Sequence, residues 1–214
     1  MKFKRKSIAI VFILVLLILN FSSNYFAMQL GDEVKISTGD YYVGEIEYEN
    51  FIIKAKMIRA LETEEIGYCL EIEKLYPSGE IFKGIGYATD GLAGIISEGY
   101  PNKSYGEIGL SSEEEAYFAT QIAIWSYVEG YDINGFKGNN RVVEAIKKIY
   151  NQGISKNSEE YNNQYKIYNY NDEVQDIALI KNYRSEIIEE NSSKLTQENS
   201  SALDENQQSI IYGK

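Results

Sequence analysis

The chain has 214 residues, with 32 acidic and 21 basic side chains and a formal net charge of −11. A surface of this sign repels nucleic acid and anionic membranes, so we expect no nucleic-acid partner. The sequence contains no histidine and a single cysteine, Cys69. This composition excludes an internal disulfide and Cys–His catalysis within the chain. The thiol is therefore inert packing, a bridge to another chain, or part of a different covalent bond.

Residues 1–27 have the pattern of a secretion signal. Four of the first six residues are basic, and the apolar run Ile8–Leu19 follows them. The run has the length of a signal-peptide core and is short for a membrane-spanning helix. Cleavage after Ala27 fits, although Tyr25 is a poor match to the small residue expected near the cleavage site. An uncleaved signal anchor, which would be the chain's one link to a membrane, is the alternative.

Residues 28–183 are expected to form one domain, large enough for its own core. Its first half is rich in β-prone residues separated by turn residues. The predicted strands lie within Asp32–Met57, interrupted by a turn at Ser37–Asp40, and then at Ile66–Ile72 and Glu80–Ala88.

Helical spacing replaces this pattern in the middle of the domain. The second predicted helix is apolar on nearly every side, which indicates a buried helix. Ser–Glu capping pairs mark its start, and glycines mark the helix ends. The predicted helices are Asp90–Glu98, ending at Gly99; one from Ser111 or Ser112 to about Glu129, ending at Gly130; and Arg141–Gln152, capped by Asn139 or Asn140 and ending at Gly153.

Strand character returns at Tyr165–Tyr170 and Val174–Ile180. Residues 184–214 are mostly polar, so we expect a disordered tail that cannot bury enough surface to offset its ordering entropy. Strands, helices and strands in this order predict an α+β fold. The expected architecture is an antiparallel β-sandwich or barrel-like core with an inserted helical subdomain.

Three short segments carry residues of chemical interest: Tyr68–Glu71, Thr120–Trp125 and Val174–Ala178. The simplest interpretation of the cysteine in the first segment is packing, since free cysteine behaves as a small buried hydrophobe. Gln121 is harder to explain in this way. A carboxamide on a buried helix needs hydrogen-bond partners, and without them it costs about 1–3 kcal/mol.

In this order, the three segments resemble the motifs of the thioester domain, or TQxA domain, of Gram-positive surface adhesins. Tyr68–Glu71 is similar to the cysteine motif, an aromatic residue or Leu followed by Cys, an apolar and a polar residue. Thr120–Trp125 matches the Thr-Gln-x-Ala-apolar-Trp helix motif at every position, and Val174–Ala178 matches the final glutamine motif. The resemblance covers residues 35–183.

The resemblance implies an internal thioester between the sulfur of Cys69 and the side-chain carbonyl of Gln175, formed with loss of ammonia. Such a bond requires two groups held face to face on rigid elements and shielded from water. Gln121 is the alternative acyl donor, although a strand glutamine fits a strand cysteine better. If Gln175 is the acyl donor, the residues that support the thioester are Thr120, Gln121, Trp125 and Tyr68.

The implied function is covalent adhesion. An amine on a host-surface protein, most simply a Lys side chain, attacks the thioester, forms an amide with Gln175 and releases the Cys69 thiol. The resemblance therefore implies a single-turnover reaction at the surface of, or secreted by, a Gram-positive bacterium, and it implies no enzyme turnover, cofactor or metal. Two alternatives stay open: a non-covalent binding module on the same fold, and a surface dimer linked by a disulfide through Cys69.

Overall fold

The structure is a computed structural model that describes residues 32–156 and 164–180. The predicted signal segment and the predicted polar tail lie outside the described residues. Among the described residues, no helix is both long and apolar enough to cross a bilayer.

Within residues 32–156 and 164–180, seven strands form a single sheet in which every pair of neighbouring strands is antiparallel. The order is β2-β3-β7-β6-β4-β1-β5, and β2 also pairs with β1. The sheet therefore closes on itself as a six-stranded barrel, with β5 added outside the ring on β1. The strands are β1 Glu33–Tyr48, β2 Phe51–Ala60, β3 Ile66–Cys69, β4 Ser78–Tyr87, β5 Phe136–Lys137, β6 Lys166–Asn169 and β7 Ile177–Ile180.

The helices of the described chain all lie between β4 and β6 in sequence. They are α1 Asp90–Glu98, α2 Tyr105–Ile108, α3 Glu113–Val128 and α4 Asn140–Ile154. The predicted α+β class, with an antiparallel barrel-like core and an inserted helical subdomain, is confirmed.

The predicted helix starts agree with the observed caps. The Ser112 hydroxyl accepts a hydrogen bond from the Glu115 backbone N–H at 3.2 Å, and the Glu115 carboxylate accepts one from the Ser111 N–H at 2.9 Å. Asn139 caps α4 by accepting from the Arg141 N–H at 3.0 Å. The expectation that α3 is buried is also confirmed, because its residues 116–126 are all buried.

The predicted turn at Ser37–Asp40 is wrong. β1 runs through these residues, and its register with β2 shifts between Thr38 and Tyr42 and again before Gly44. Because β1 pairs with β2 on both sides of this stretch, the Gly-Asp sequence is absorbed as an irregularity within a strand. The chain reverses at Glu49, which has a φ of 50°.

The predicted helix stop at Gly153 is also wrong, since α4 continues to Ile154. Gly153 instead allows α4 to approach α1 closely. A Cβ added at Gly94 of α1 would lie 2.2 Å from the Gly153 carbonyl oxygen. Glycine is therefore needed at position 153 for close helix packing. In the sequence, a glycine near the end of a helical pattern looks the same whether it serves packing or a C-cap.

Candidate functional site

Cys69 is the last residue of β3 and is fully buried as a free cysteine. Its Cα pairs with that of Ile177 on β7. The strand was predicted to reach Ile72 but ends at Cys69. Beyond one further bond from Leu70 to the Asp176 carbonyl, the Asp176 N–H donates to the Glu71 carboxylate at 2.7 Å and no longer to the backbone of β3. Burial, and then the nearby charge of Glu71, raise the pKa of the Cys69 thiol well above its usual range. The free thiol therefore stays protonated at neutral pH.

Gln121 holds the backbone of Cys69 from the facing helix. Its Oε1 accepts from the Cys69 N–H at 2.9 Å, and its Nε2 donates to the Cys69 carbonyl at 2.8 Å. The Gln121 carboxamide thus bonds both the N–H and the carbonyl of Cys69, as the backbone of a neighbouring strand would. This contact explains how a polar side chain is accommodated on an apolar helix, since both of its polar atoms are satisfied.

Gln175 is fully buried and lies two residues before β7, which begins at Ile177 and not at Val174 as predicted. Its backbone N–H donates to the Leu75 carbonyl at 3.0 Å, and its side-chain Nε2 donates to the Lys74 carbonyl at 3.0 Å. Its Oε1 has no hydrogen-bond partner among the described residues. The Lys74 carbonyl can only accept a hydrogen bond, so the atom of Gln175 that faces it must be the amide nitrogen. The other atom, Oε1, is therefore the unpaired one.

The strand register relates Cys69 to Gln175. The partner of Cys69 is Ile177, and pairing continues one step further, where the Leu70 N–H donates to the Asp176 carbonyl at 3.0 Å. Continuing this register assigns Gln175 the diagonal position, two residues from the direct partner of Cys69 and just before the start of β7. In an antiparallel pair, diagonal neighbours lie on the same face of the sheet and within reach of long side chains.

Thr120 and Tyr68 both hold the loop that follows α1. The Thr120 hydroxyl accepts from the Tyr100 N–H at 3.0 Å and donates to the Ala116 carbonyl at 2.8 Å. The Tyr68 hydroxyl donates to the Tyr100 carbonyl at 2.5 Å. Gly99 permits this approach, since a Cβ there would lie 2.2 Å from Thr120 Cγ2. Tyr68 therefore connects the strand that carries Cys69 to the loop after α1, and Thr120 connects the same loop to α3.

Two further residues connect α3 to β3 and the segment after it, and they were not singled out from the sequence. Tyr117 donates to the Gly67 carbonyl at 2.9 Å, and the Glu129 carboxylate accepts from the Ile72 N–H at 3.0 Å. With Gln121 and Trp125 they form a series at four-residue spacing along α3 and its C-cap, Glu129. The available signal was this spacing, which places all four side chains along one side of the helix.

Trp125 lies between Gln121 and Glu129 in this series and is 1% exposed. Its indole N–H has no hydrogen-bond partner among the described residues. The structure therefore places Tyr68, Thr120, Gln121 and Trp125 where the β3 strand meets α3.

The ring of Tyr68 stacks on that of Tyr117, with centroids 4.7 Å apart. Burial raises the pKa of both hydroxyls well above the usual value. The unfolded chain ionises near the ordinary tyrosine pKa of about 10, whereas the folded chain keeps both protons. We therefore expect full stability below about pH 9 and a loss of about 1.4 kcal/mol per group for each pH unit above the unfolded pKa.

Urea unfolding between about pH 8 and pH 11 measures this loss. In Tyr117→Phe the decline should be shallower than in the wild-type chain, although the variant starts from a lower stability because its hydroxyl bonds are lost. Tyr170→Phe, at a half-exposed position, should keep the wild-type slope. Parallel curves for the wild-type chain and Tyr117→Phe would contradict the expectation.

Comparison with known proteins finds a family to which part of this chain is similar. Residues 66–155 match the family model of the thioester domain. The resemblance to thioester domains is confirmed. The match contains Cys69 and the Thr120–Trp125 motif of the thioester domain and ends before Gln175. Among curated proteins, no significant match to the sequence is found.

Two solved structures share the fold. The first is the Bacillus anthracis TIE protein, with a TM-score of 0.55 and 21% identity over 64% of this chain and 29% of that chain. The second is the thioester domain of the Enterococcus faecium TIE86 protein, with a TM-score of 0.52 and 20% identity over 64% of this chain and 59% of that chain. The present chain thus spans less than two thirds of the length of either protein.

Proposed function

We propose that this chain is a surface or secreted adhesin domain of a Gram-positive bacterium, with an internal thioester between Cys69 and Gln175. An amine on a host-surface protein opens the thioester and becomes covalently attached to Gln175. The reaction occurs once per molecule, so the chain is a self-reacting binder and not a turnover catalyst.

One observation carries the assignment of the acyl donor. Gln121, the alternative, has both side-chain polar atoms bonded to the backbone of Cys69. Gln175 is fully buried at the diagonal position to Cys69, and its carbonyl oxygen is uncommitted among the described residues. This geometry favours Gln175 as the reacting group and Gln121 as the residue that fixes the cysteine strand.

The chemistry balances without a cofactor. In formation, the Cys69 sulfur attacks the Gln175 Cδ, the Cδ–Nε2 bond breaks, and ammonia leaves with the thiol proton. In binding, the target amine attacks the same carbon, the Cδ–Sγ bond breaks, and the amine proton passes to the sulfur. Because burial raises the pKa of the thiol, the released sulfur ends as a neutral thiol.

Burial also bears on the competing hypothesis of a dimer linked through Cys69. The side chain is 0% exposed, so a disulfide, which needs the partner's Cα within about 7 Å of that of Cys69, cannot form unless β3 opens. A lysine amine differs because it lies at the end of a long, narrow side chain. The enclosed position instead suits a bond that must be protected from hydrolysis.

The charge near Gln175 favours a cationic target such as a lysine side chain. Lys74, whose carbonyl holds the Gln175 amide, forms an ion pair with Glu71 at 3.0 Å. The hydrogen bond that Lys74 donates to Glu71, and the charges of Glu71, Asp176 and Asp172, raise the pKa of Lys74. Three carboxylates around a single ammonium leave an excess of negative charge, which attracts cations to this part of the surface.

We therefore predict that peptides with one lysine react faster when arginines flank that lysine than when glutamates do. At low ionic strength the expected ratio of second-order rate constants is about tenfold. The ratio should approach one near 1 M salt, where the Debye length is about 3 Å. Asp172→Asn should reduce the ratio, and equal rates for both peptides at low salt would contradict the prediction.

Intact mass tests the proposed function directly. The wild-type chain, prepared at neutral pH without amines, should be lighter than its sequence mass by one ammonia. Cys69→Ala should have its full sequence mass. Methylamine should add its mass to the wild-type chain and release one thiol that a maleimide can label after denaturation. Full sequence mass in the native wild-type chain, together with an alkylatable Cys69, would overturn the proposal.

A further inference from the structure

Two buried side-chain atoms lack a hydrogen-bond partner among the described residues: the indole Nε1 of Trp125 and the Oε1 of Gln175. The first can only donate, and the second can only accept. Folded proteins leave few such groups unpaired, and each exception calls for an explanation. Here both exceptions occur in motifs of the thioester domain.

Both residues are linked to the Cys69 region through their neighbours along the chain. Gln121, one helical turn before Trp125, holds the Cys69 backbone, and Glu129, one turn after it, holds the Ile72 N–H. The four-residue spacing therefore puts Trp125 on the same side of α3, between the residues that hold Cys69 and Ile72. Gln175 lies just before β7, at the diagonal position to Cys69 in the strand register.

The other donors around Cys69 are committed. The Tyr68 hydroxyl donates to the Tyr100 carbonyl, and the Tyr117 hydroxyl donates to the Gly67 carbonyl. The Thr120 hydroxyl donates to the carbonyl of Ala116. Trp125 thus supplies a side-chain donor that has no acceptor of its own within the described chain.

We propose that the Trp125 indole N–H donates to the Gln175 carbonyl oxygen once the Cys69 sulfur is bonded to Cδ, and that it stabilises the negative charge on this oxygen during attack. Formation of the thioester draws the Gln175 acyl group toward Cys69 and removes its Nε2, which releases the group from the Lys74 carbonyl. The oxygen then moves toward α3, where Trp125 is the uncommitted donor. This inference rests on the proposed thioester and adds a residue that acts on the reacting oxygen.

The test uses the fact that Trp125 is the chain's single tryptophan. Growth of a tryptophan auxotroph on β-(3-benzothienyl)alanine replaces this residue with an isostere that has sulfur in place of the N–H. We expect methylamine to open the thioester of this protein about 100-fold more slowly, as is typical for loss of one oxyanion donor. The infrared stretch of the thioester carbonyl should shift to higher frequency, while the thermal midpoint changes little because the shape of the side chain is retained.

Three outcomes are distinguishable. Slower opening with the shifted carbonyl stretch, or a folded isostere protein that keeps its ammonia, supports the inference. A wild-type rate and an unshifted stretch in the isostere protein overturn the role of Trp125 and leave the proposed function intact. A wild-type chain at full sequence mass overturns the proposed function itself.

A second measurement covers the case in which the isostere protein does not fold. Uniform ¹⁵N labelling gives one indole N–H resonance, which can be compared between the wild-type chain and Cys69→Ala. A hydrogen bond to the thioester should move the indole proton downfield in the wild-type chain. Coincident indole resonances would overturn the inference.

Discussion

Replacing Gln175 with alanine is expected to leave the chain at its full sequence mass and to reduce methylamine incorporation to background. The variant lacks the proposed acyl carbon, so the thioester between Cys69 and Gln175 cannot form whatever the state of Cys69. The cost to folding should be moderate, about 1–3 kcal/mol, because the Lys74 carbonyl loses its partner and a small cavity is left. Loss of reactivity should therefore occur in a folded protein, which urea unfolding can verify.

Peptide mapping of the methylamine-treated wild-type chain identifies the acyl donor independently. Trypsin should release residues 167–181, in which Gln175 is the one glutamine, and residues 104–137, in which Gln121 is the one glutamine. The methylamide should appear on the first peptide, and a free thiol on residues 60–74. A methylamide on residues 104–137 would contradict the assignment and make Gln121 the donor.

The sequence was most informative where local rules decide the structure. Ser112 and Asn139 mark helix starts through contacts within a few residues, and the apolar run on α3 predicts its burial directly. The sequence was misleading where a distant partner decides. Ser37–Asp40 has turn residues but stays extended because β2 pairs with β1 on both sides, and Gly153 packs on Gly94 instead of ending its helix.

The same distinction applies to the site. The motifs located Cys69, Gln121 and Gln175, but no local pattern shows that Gln121 bonds both its polar atoms to a residue 52 positions earlier. The hydrogen bonds of Tyr117 and Glu129 likewise depend on how α3 lies against β3. A residue's place in a motif was therefore predictable, whereas the atoms it contacts required the fold.

Gln121 is expected to carry the largest stability effect at the site. Gln121→Leu keeps the approximate volume of the side chain but leaves the N–H and the carbonyl of Cys69 without their partners in the buried core. At about 1–3 kcal/mol for each unpaired group, the free energy of unfolding should fall by about 3 kcal/mol or more. The thioester content should fall as well, because the end of β3 is no longer fixed against α3. Urea unfolding and intact mass measure the two effects.

Ser126→Ala is the matched control on the same helix. Ser126 is equally buried, but its hydroxyl donates to the Ile122 carbonyl one turn earlier, so its loss leaves no group of β3 unpaired. We expect this variant to lose about 1 kcal/mol or less and to keep the full mass deficit of one ammonia. If Gln121→Leu were as stable as Ser126→Ala, the two hydrogen bonds between Gln121 and the Cys69 backbone would contribute little to folding. If it also kept the complete deficit, the rigidity of β3 would be unnecessary for thioester formation, and proximity on the β3–β7 ladder alone would account for the chemistry.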